Sequence, residues 1–170
     1  VLQLLHINDL TMTVEKYLEI VHAKTATLFE AATRIGPIIA QKSYEDEKKL
    51  AEFGRDLGIA FQLVDDVLDY TAEEALLGKA IGDDFREGKI TLPIIYAYQM
   101  GDQSEKSFWH KTMVKLEQDK KDFNQAITLL KKYQAFEKTL SLAEQYIQKA
   151  KQTLATFPVS PIREALLETC

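Results

Sequence analysis

The sequence predicts an all-α fold, and three observations support this prediction. Every long apolar pattern repeats at the 3.6-residue period of a helix, no segment alternates apolar and polar residues as a strand does, and no repeat or low-complexity tract occurs. A length of 170 residues with 46% apolar residues fits one domain with a substantial core. We therefore expect a single α-helical domain over residues 1–170.

Composition excludes several classes of protein. A net charge of −5 argues against a nucleic-acid-binding surface, which needs clustered basic residues. The one cysteine, Cys170, cannot build a disulfide framework or a cysteine metal site. No apolar run is long enough to cross a bilayer and the first residues do not resemble a signal peptide, so we expect a cytoplasmic location. Because the chain starts at Val1 inside an apolar segment, we also expect it to be a fragment.

The first long helix is predicted from Thr11 or Thr13, either of which can cap a helix, to the Gly36-Pro37 pair. Its apolar row, expected to face the core, comprises Val14, Tyr17, Leu18, Val21, Thr25, Leu28, Ala32 and Ile35. Lys24 lies on the flank of this row. A lysine in that position usually extends its ammonium group to water, so the pattern alone assigns it no role.

A second helix is predicted from the N-cap Ser43 to about Thr71. The row expected to face the core is Leu50, Phe53, Leu57, Phe61, Val64 and Leu68. Asp65 and Asp69 each follow a row residue by one position and lie one turn apart, at the edge of the buried face. A second row begins with Gly54 and Gly58, which allow another backbone to come close, and continues through Gln62 to these acids.

The acidic end of this helix has two interpretations. Carboxylates at this spacing repel one another and are costly to bury, so a cation is expected to meet them. Carboxylate oxygens suit Mg²⁺ that is shared with substrate phosphates. The alternative is a solvated acidic helix end, which a short motif does not exclude.

A loop is predicted from Leu77 to Pro93, because this segment is rich in glycine. It carries Lys79, Arg86 and Lys89, and exposed backbone N–H groups with lysines suit a phosphate or diphosphate. The alternative is a surface loop whose basic residues pair with its own acids, which are Asp83, Asp84 and Glu87.

The remaining segments all predict helices. The first runs from Leu92 and is closed by Gly101, and Ser104 is expected to cap the next, which contains Trp109. Two longer helices follow over 120–133 and 134–157, and a last one over 162–169. The inward row of the second long helix is expected to be Leu140, Ala143, Ile147, Ala150 and Leu154.

Three elements, taken in order, resemble the all-trans polyprenyl diphosphate synthase family, most closely its long-chain bacterial branch. They are a Lys-Thr pair, an FQxxDDxxD helix and a GKxxGDDxxxGKxTLP loop. The matching residues are Lys24, Thr25, Phe61, Gln62, Asp65, Asp66, Asp69, Gly78, Lys79, Gly82, Asp83, Asp84, Gly88, Lys89, Thr91, Leu92 and Pro93.

The resemblance implies a helical bundle of the isoprenoid synthase type that forms a homodimer. It implies an enzyme that joins an allylic diphosphate to isopentenyl diphosphate with Mg²⁺ as cofactor. By position, the metal ligands are Asp65, Asp66 and Asp69, with Asp65 and Asp69 the more direct ones. The residues implied to bind diphosphate are Lys24, Lys79 and Lys89, and those implied to act in catalysis are Lys24, Thr25 and Gln62.

The chain also departs from the family. It has no first aspartate-rich motif, since Asp83-Asp84 is followed by FREG, so it resembles a C-terminal half that is expected to be inactive alone. One alternative is a noncatalytic helical subunit that partners a full-length synthase. A terpene cyclase is a further alternative, because Asp65, Asp69 and Glu73 have the spacing of its second metal motif. The aspartate at the middle position favours the elongating enzyme.

Overall fold

The computed structural model describes residues 9–71 and 81–170, which form helices joined by turns, with no strand in these two ranges. The predicted all-α class is confirmed. In chain order the α-helices are α1 (Val14–Val21), α2 (Thr27–Ile39), α3 (Tyr44–Thr71), α4 (Asp83–Arg86), α5 (Leu92–Met100), α6 (Gln103–Trp109), α7 (Asp122–Lys132), α8 (Ala135–Ala155) and α9 (Pro161–Glu168). Two π-helical segments, His22–Ala26 and His110–Val114, directly follow α1 and α6.

The chain divides into two compact units. Unit 1 comprises residues 1–18 and 63–140, and unit 2 comprises residues 19–62 and 141–170. The long helix α3 contributes its residues up to Gln62 to unit 2 and the rest to unit 1. The single-domain organisation expected from length stays a prediction.

Side-chain caps fix where several helices begin. The Thr13 hydroxyl accepts a hydrogen bond from the Lys16 N–H at 3.2 Å, and the Ser43 hydroxyl accepts one from the Asp46 N–H at 3.1 Å. Both match predicted caps. The prediction that Ser104 caps α6 is wrong. Asp102 is the cap, because α6 begins at Gln103 and the Asp102 carboxylate accepts the N–H groups of Ser104 and Glu105 in a capping box.

The prediction that Gly36-Pro37 ends the first helix is wrong, since α2 continues to Ile39 with Pro37 buried inside it. The helix ends instead in a Schellman motif around Gln41, which has a φ of 50°. The Lys42 N–H donates to the Pro37 carbonyl at 2.9 Å, and the Gln41 N–H donates to the Ile38 carbonyl at 3.1 Å. Pro37 lies in the last turn of α2, and the carbonyls of Pro37 and Ile38 still accept these two hydrogen bonds. The proline therefore does not break the helix.

Unit 1 has an apolar core around α5. This short helix is apolar on all sides, and its first residues are almost completely buried. Other large side chains with almost no exposure in unit 1 are Leu63, Phe85, Trp109, Met113 and Leu130. The helix α5 contacts α6 and α7, and its burial is expected for a helix with no polar face.

Unit 2 has its own apolar cluster. Phe53 of α3 packs with Ala150 and Leu154 of α8, and further apolar side chains from α3, α9 and the C-terminal residue cover them. Of the row predicted for α8, Ala143, Ala150 and Leu154 are buried, but Leu140 is 42% exposed and that part of the prediction is wrong.

The predicted core rows of the two long helices are correct only in their first parts. In the first row Tyr17 and Val21 are buried, but Leu28 is 73% exposed and Ile35 is 54% exposed. In α3 the exposed members are Phe61, Val64 and Leu68. The residues actually buried there are Leu63, Val67 and Tyr70, so the buried face lies about 100° around the helix from the predicted row.

Candidate active site

Lys24 and Thr25 lie in the π-helical segment between α1 and α2. The Thr27 N–H bonds to the His22 carbonyl, five residues earlier, as the wider π turn requires. Such single turns interrupt α-helices frequently at functional sites. Lys24 is exposed, whereas Thr25 is half-buried and donates its hydroxyl proton to Gln62 Oε1 at 2.8 Å. The structure therefore brings two of the predicted catalytic side chains into direct contact.

Two glycines of α3 make this contact possible. A Cβ atom at Gly58 would lie 2.7 Å from Ala26 Cα, and one at Gly54 would lie 2.6 Å from the Phe29 carbonyl oxygen. Real Cβ atoms do not approach other atoms so closely, so only glycine fits at either position. The close backbone approach predicted from the glycine row is thus confirmed. Beside it, the rings of Phe29 and Phe61 lie 5.5 Å apart, centroid to centroid.

The three aspartates of the FQxxDDxxD segment have different surroundings. Asp65 is exposed, Asp69 is half-buried, and Asp66 has no exposed surface. The Tyr17 hydroxyl of α1 donates a hydrogen bond to Asp66 Oδ2. Burial, followed by the charge of Asp66, raises the pKa of Tyr17 well above its usual value, so this phenol remains a donor at neutral pH. The prediction placed Asp65 and Asp69 at the edge of a buried face through Val64 and Leu68, but those two residues are exposed, and it is Asp66 that lies on the buried face.

Asp69 is linked to the loop that follows it. Its carboxylate accepts the Asp84 N–H at 3.1 Å, and its carbonyl accepts the Gly82 N–H at 2.8 Å. Burial and the nearby charge of Asp84 raise the pKa of Asp69. Gly82 has a φ of 81°, and its position against the Phe123 ring leaves no space for a side chain. The loop is therefore held against the acidic end of α3 by backbone as well as side-chain bonds.

Arg86 and Lys89, the basic residues of the loop that the structure describes, have acidic partners. Lys89 Nζ lies 2.6 Å from Asp84 Oδ1, and Arg86 bonds to Asp83. Burial lowers the pKa of Lys89, but the hydrogen bond and charge of Asp84 outweigh it, so that the pKa is raised. Lys89 therefore stays charged and is paired within the loop. This agrees with the alternative of a surface loop whose basic residues pair with its own acids. Lys79, also predicted to bind diphosphate, lies outside the described residues.

In the ranges 9–71 and 81–170, no three histidine, cysteine, aspartate or glutamate side chains converge as a preformed metal site. This does not conflict with Mg²⁺, which retains water and is held by one or two carboxylates together with substrate phosphates. Asp65 and Asp69 supply hard oxygen ligands of that kind. Their donor set therefore fits a magnesium ion that arrives with a diphosphate.

Sequence reasoning missed the role of Tyr17. The apolar period placed this residue in the core, which is correct, but nothing in the sequence connected it with Asp66, which lies 49 residues away. The single available signal was an isolated tyrosine in an otherwise apolar row, because a buried phenol usually needs a hydrogen-bond partner.

Comparison with known proteins gives consistent matches. A sequence profile described as polyprenyl synthetase matches residues 1–130. The octaprenyl diphosphate synthase of Escherichia coli K12 is 40% identical over 167 residues, which cover 98% of this chain and 51% of that protein. The geranylgeranyl diphosphate synthase of Saccharolobus solfataricus is 36% identical over 153 residues, covering 90% of this chain and 46% of that one.

A solved structure matches equally well. The polyprenyl synthase from Caulobacter crescentus CB15, complexed with calcium and isoprenyl diphosphate, has a TM-score of 0.94 and 44% identity. The match covers 99% of this chain and 51% of that one. The chain thus spans about half the length of the curated relatives it matches. Among the described residues no helix is both long and apolar enough to span a membrane.

Proposed function

The chain belongs to the polyprenyl synthetase family, and from this premise we propose that it is part of a prenyltransferase. The proposed reaction condenses an allylic diphosphate with isopentenyl diphosphate to give a longer all-trans polyprenyl diphosphate. The support is the family match together with the arrangement of the three aspartates on α3.

The proposed reaction proceeds in three changes of bonding. The C–O bond of the allylic diphosphate breaks, and diphosphate leaves with the electron pair. The double bond of isopentenyl diphosphate then attacks the allylic cation and forms a C–C bond. A proton then passes from the new cation to the released diphosphate, which restores a double bond and gives the product.

The residues of this chain have distinct proposed roles in that reaction. Lys24, Lys79 and Lys89 bind diphosphate as cations, Lys89 while it stays paired with Asp84, and their charge stabilises the leaving group. Thr25 and Gln62 present oxygen dipoles toward the allylic cation. Their 2.8 Å hydrogen bond supports this role, because the hydroxyl proton is directed to Gln62 and the oxygen lone pairs of Thr25 remain for the cation.

Asp65 and Asp69 are the proposed ligands of Mg²⁺, and Asp66 is the third member of the motif. A bound magnesium ion supplies positive charge that stabilises the departing diphosphate. The observation that carries the proposal is the separation of the three acids. Asp65 and Asp69 have access to solvent, whereas their neighbour Asp66 is turned inward.

Three further parts of the proposal rest on the resemblance and the relatives. A long-chain product is supported by the octaprenyl diphosphate synthase at 40% identity, although a geranylgeranyl diphosphate synthase matches at 36%. The homodimer and the cytoplasmic location stay predictions from the sequence. The expectation that the chain is inactive alone also stays a prediction.

The test is calorimetric titration of the 170-residue chain with inorganic diphosphate, with and without Mg²⁺, repeated with Asp65→Ala and Lys79→Ala. We expect binding that requires Mg²⁺ and is lost in both variants. A matched control is Asp83→Ala, which removes an acid that is already paired with Arg86. Unchanged binding in Asp65→Ala would contradict the proposed metal site.

A noncatalytic helical subunit is the second candidate, and one observation favours it. A row of α2 is apolar and exposed, with Leu28 at 73% and Ile39 at 76% exposure. Such a row is typical of a surface that another polypeptide covers. This candidate predicts that a chain shown to be folded does not bind diphosphate with Mg²⁺, and that it elutes as a complex with a full-length synthase.

A further inference from the structure

Asp66 is the most deeply buried carboxylate among the described residues of α3, and its burial needs an explanation. An ionised carboxylate without exposed surface is costly unless hydrogen bonds replace its lost water. The Tyr17 hydroxyl provides such a bond, and Tyr17 itself is only 6% exposed. The pair is therefore built into the interior of unit 1.

Both members of the pair are firmly placed. Tyr17 lies in α1 directly after its N-terminal turn and is almost completely buried. Asp66 has no exposed surface, and Leu63, Val67 and Tyr70 on the same side of α3 are also buried. A hydrogen bond between two enclosed side chains joins α1 to α3 across 49 residues of sequence.

This bond marks the side of α3 that faces inward at Asp66. At about 100° per residue, Asp65 lies about 100° to one side of Asp66, and Asp69 lies about 60° to that same side. Once Asp66 points inward toward Tyr17, Asp65 and Asp69 are therefore placed about 40° apart on one side of the helix. Their observed exposure agrees with this geometry.

We propose that Tyr17 and Asp66 form a positioning pair that orients Asp65 and Asp69 for the metal ion, and that Asp66 itself does not bind the ion. The inference rests on the proposed function, because it needs Asp65 and Asp69 to be metal ligands. It assigns to Tyr17 a role in the reaction that its apolar surroundings alone do not indicate.

The test measures binding of Mn²⁺, a paramagnetic substitute for Mg²⁺, to the 170-residue chain with inorganic diphosphate present, by electron paramagnetic resonance. We expect Tyr17→Phe to weaken Mn²⁺ binding about tenfold, as loss of a supporting hydrogen bond commonly does. Asp66→Asn keeps an oxygen that can accept the tyrosine proton, so we expect it to weaken binding less than Tyr17→Phe. Asp65→Asn, which replaces a ligand, abolishes binding.

Tyr70→Phe is the matched control. The Tyr70 hydroxyl is buried on the same helix, one turn after Asp66, and makes no hydrogen bond to the part of the chain that the structure describes. Its loss should leave Mn²⁺ binding unchanged. Circular dichroism melting of every variant shows that binding is compared between folded chains.

The outcomes test the Tyr17–Asp66 positioning pair and the proposed function separately. Lower melting temperatures with unchanged Mn²⁺ binding in Tyr17→Phe would make the pair merely structural and overturn the inference. Loss of binding in Asp66→Asn as complete as in Asp65→Asn would make Asp66 a ligand, with the same result. If the wild-type chain does not bind Mn²⁺, or Asp65→Asn binds it normally, the proposed function falls and the inference falls with it.

Discussion

The two parts of α3 are packed in opposite ways. Up to Gln62 the helix depends on shape, because Gly54 and Gly58 leave no room for a side chain where other backbone comes close. From Leu63 onward its buried face includes a carboxylate, Asp66, which accepts a hydrogen bond from the Tyr17 hydroxyl. The first part therefore has no space for an added atom, whereas the second part cannot lose a polar partner without cost.

This difference shows that one helical period can serve two kinds of interaction. The period places residues on a face, but it does not distinguish a face that needs small residues from one that needs hydrogen bonds. Substitutions along α3 that add a methyl group or remove a polar group distinguish close packing from hydrogen bonding.

The largest effect on stability is expected from Gly54→Ala. The new Cβ atom would lie 2.2 Å from Thr33 Oγ1 and 2.6 Å from the Phe29 carbonyl oxygen, so backbone must move. We expect the free energy of unfolding to fall by about 3 kcal/mol. Urea denaturation followed by circular dichroism measures it.

Gly36→Ala is the control for that substitution. Gly36 also lies inside a helix, but a Cβ atom there meets nothing within 4 Å. We expect a gain of about 0.5–1 kcal/mol from the better helix propensity of alanine. Similar losses in both variants would show that α3 is not closely packed at Gly54.

The second effect comes from two adjacent acids in the other part of α3. Asp66→Ala leaves the buried Tyr17 hydroxyl without its acceptor, and we expect a loss of about 2 kcal/mol in the free energy of unfolding. Asp65→Ala removes an exposed acid, and we expect a change within about 0.5 kcal/mol. Urea denaturation at neutral pH without metal tests both. Equal effects would contradict the separation of the two acids.

The smallest effect is a pH dependence in the first part of α3. Burial raises the pKa of Asp56 above its ordinary value of 3.8, although its ion pair with Arg55 opposes this shift. A raised pKa means that the folded chain disfavours the ionised form. Asp56 therefore costs stability once the pH exceeds the pKa values of both states, and it has no such cost below pH 3.8.

Asp56→Asn should consequently stabilise the chain at pH 7 and have no such effect at about pH 3.5. Chemical denaturation at the two pH values measures the difference, and Asp65→Asn provides the same chemical change at an exposed position. A stabilisation that is equal at both pH values would assign the effect to packing rather than to charge.

Part of the fold could be predicted because its signals are local. The caps Thr13 and Ser43 lie within three residues of the N–H groups they accept, so sequence alone identified Ser43 and narrowed the first cap to Thr11 or Thr13. The end of α2 could not be located this way. It depends on Gln41 adopting a positive φ, which glycine adopts readily and glutamine rarely does.

The candidate site shows the same division. The sequence identified the Lys-Thr pair, the glutamine and the aspartates through a motif, and glycine spacing indicated a close helix contact. It offered the acids of the loop as partners for the basic residues without deciding between them, and the structure pairs Lys89 with Asp84. The choice among three nearby acids depends on how the loop folds over α3.

The sequence by itself determined that the chain is all-α, where most helices begin, and which family it belongs to, because these follow from local periods, caps and motif spacing. Tertiary structure decided which acids of the motif face inward. A 3.6-residue period fixes the angles between Asp65, Asp66 and Asp69 but leaves the rotation of the whole helix open. The folded chain settles that rotation, with Asp66 turned inward against the Tyr17 hydroxyl, a partner 49 residues away in sequence.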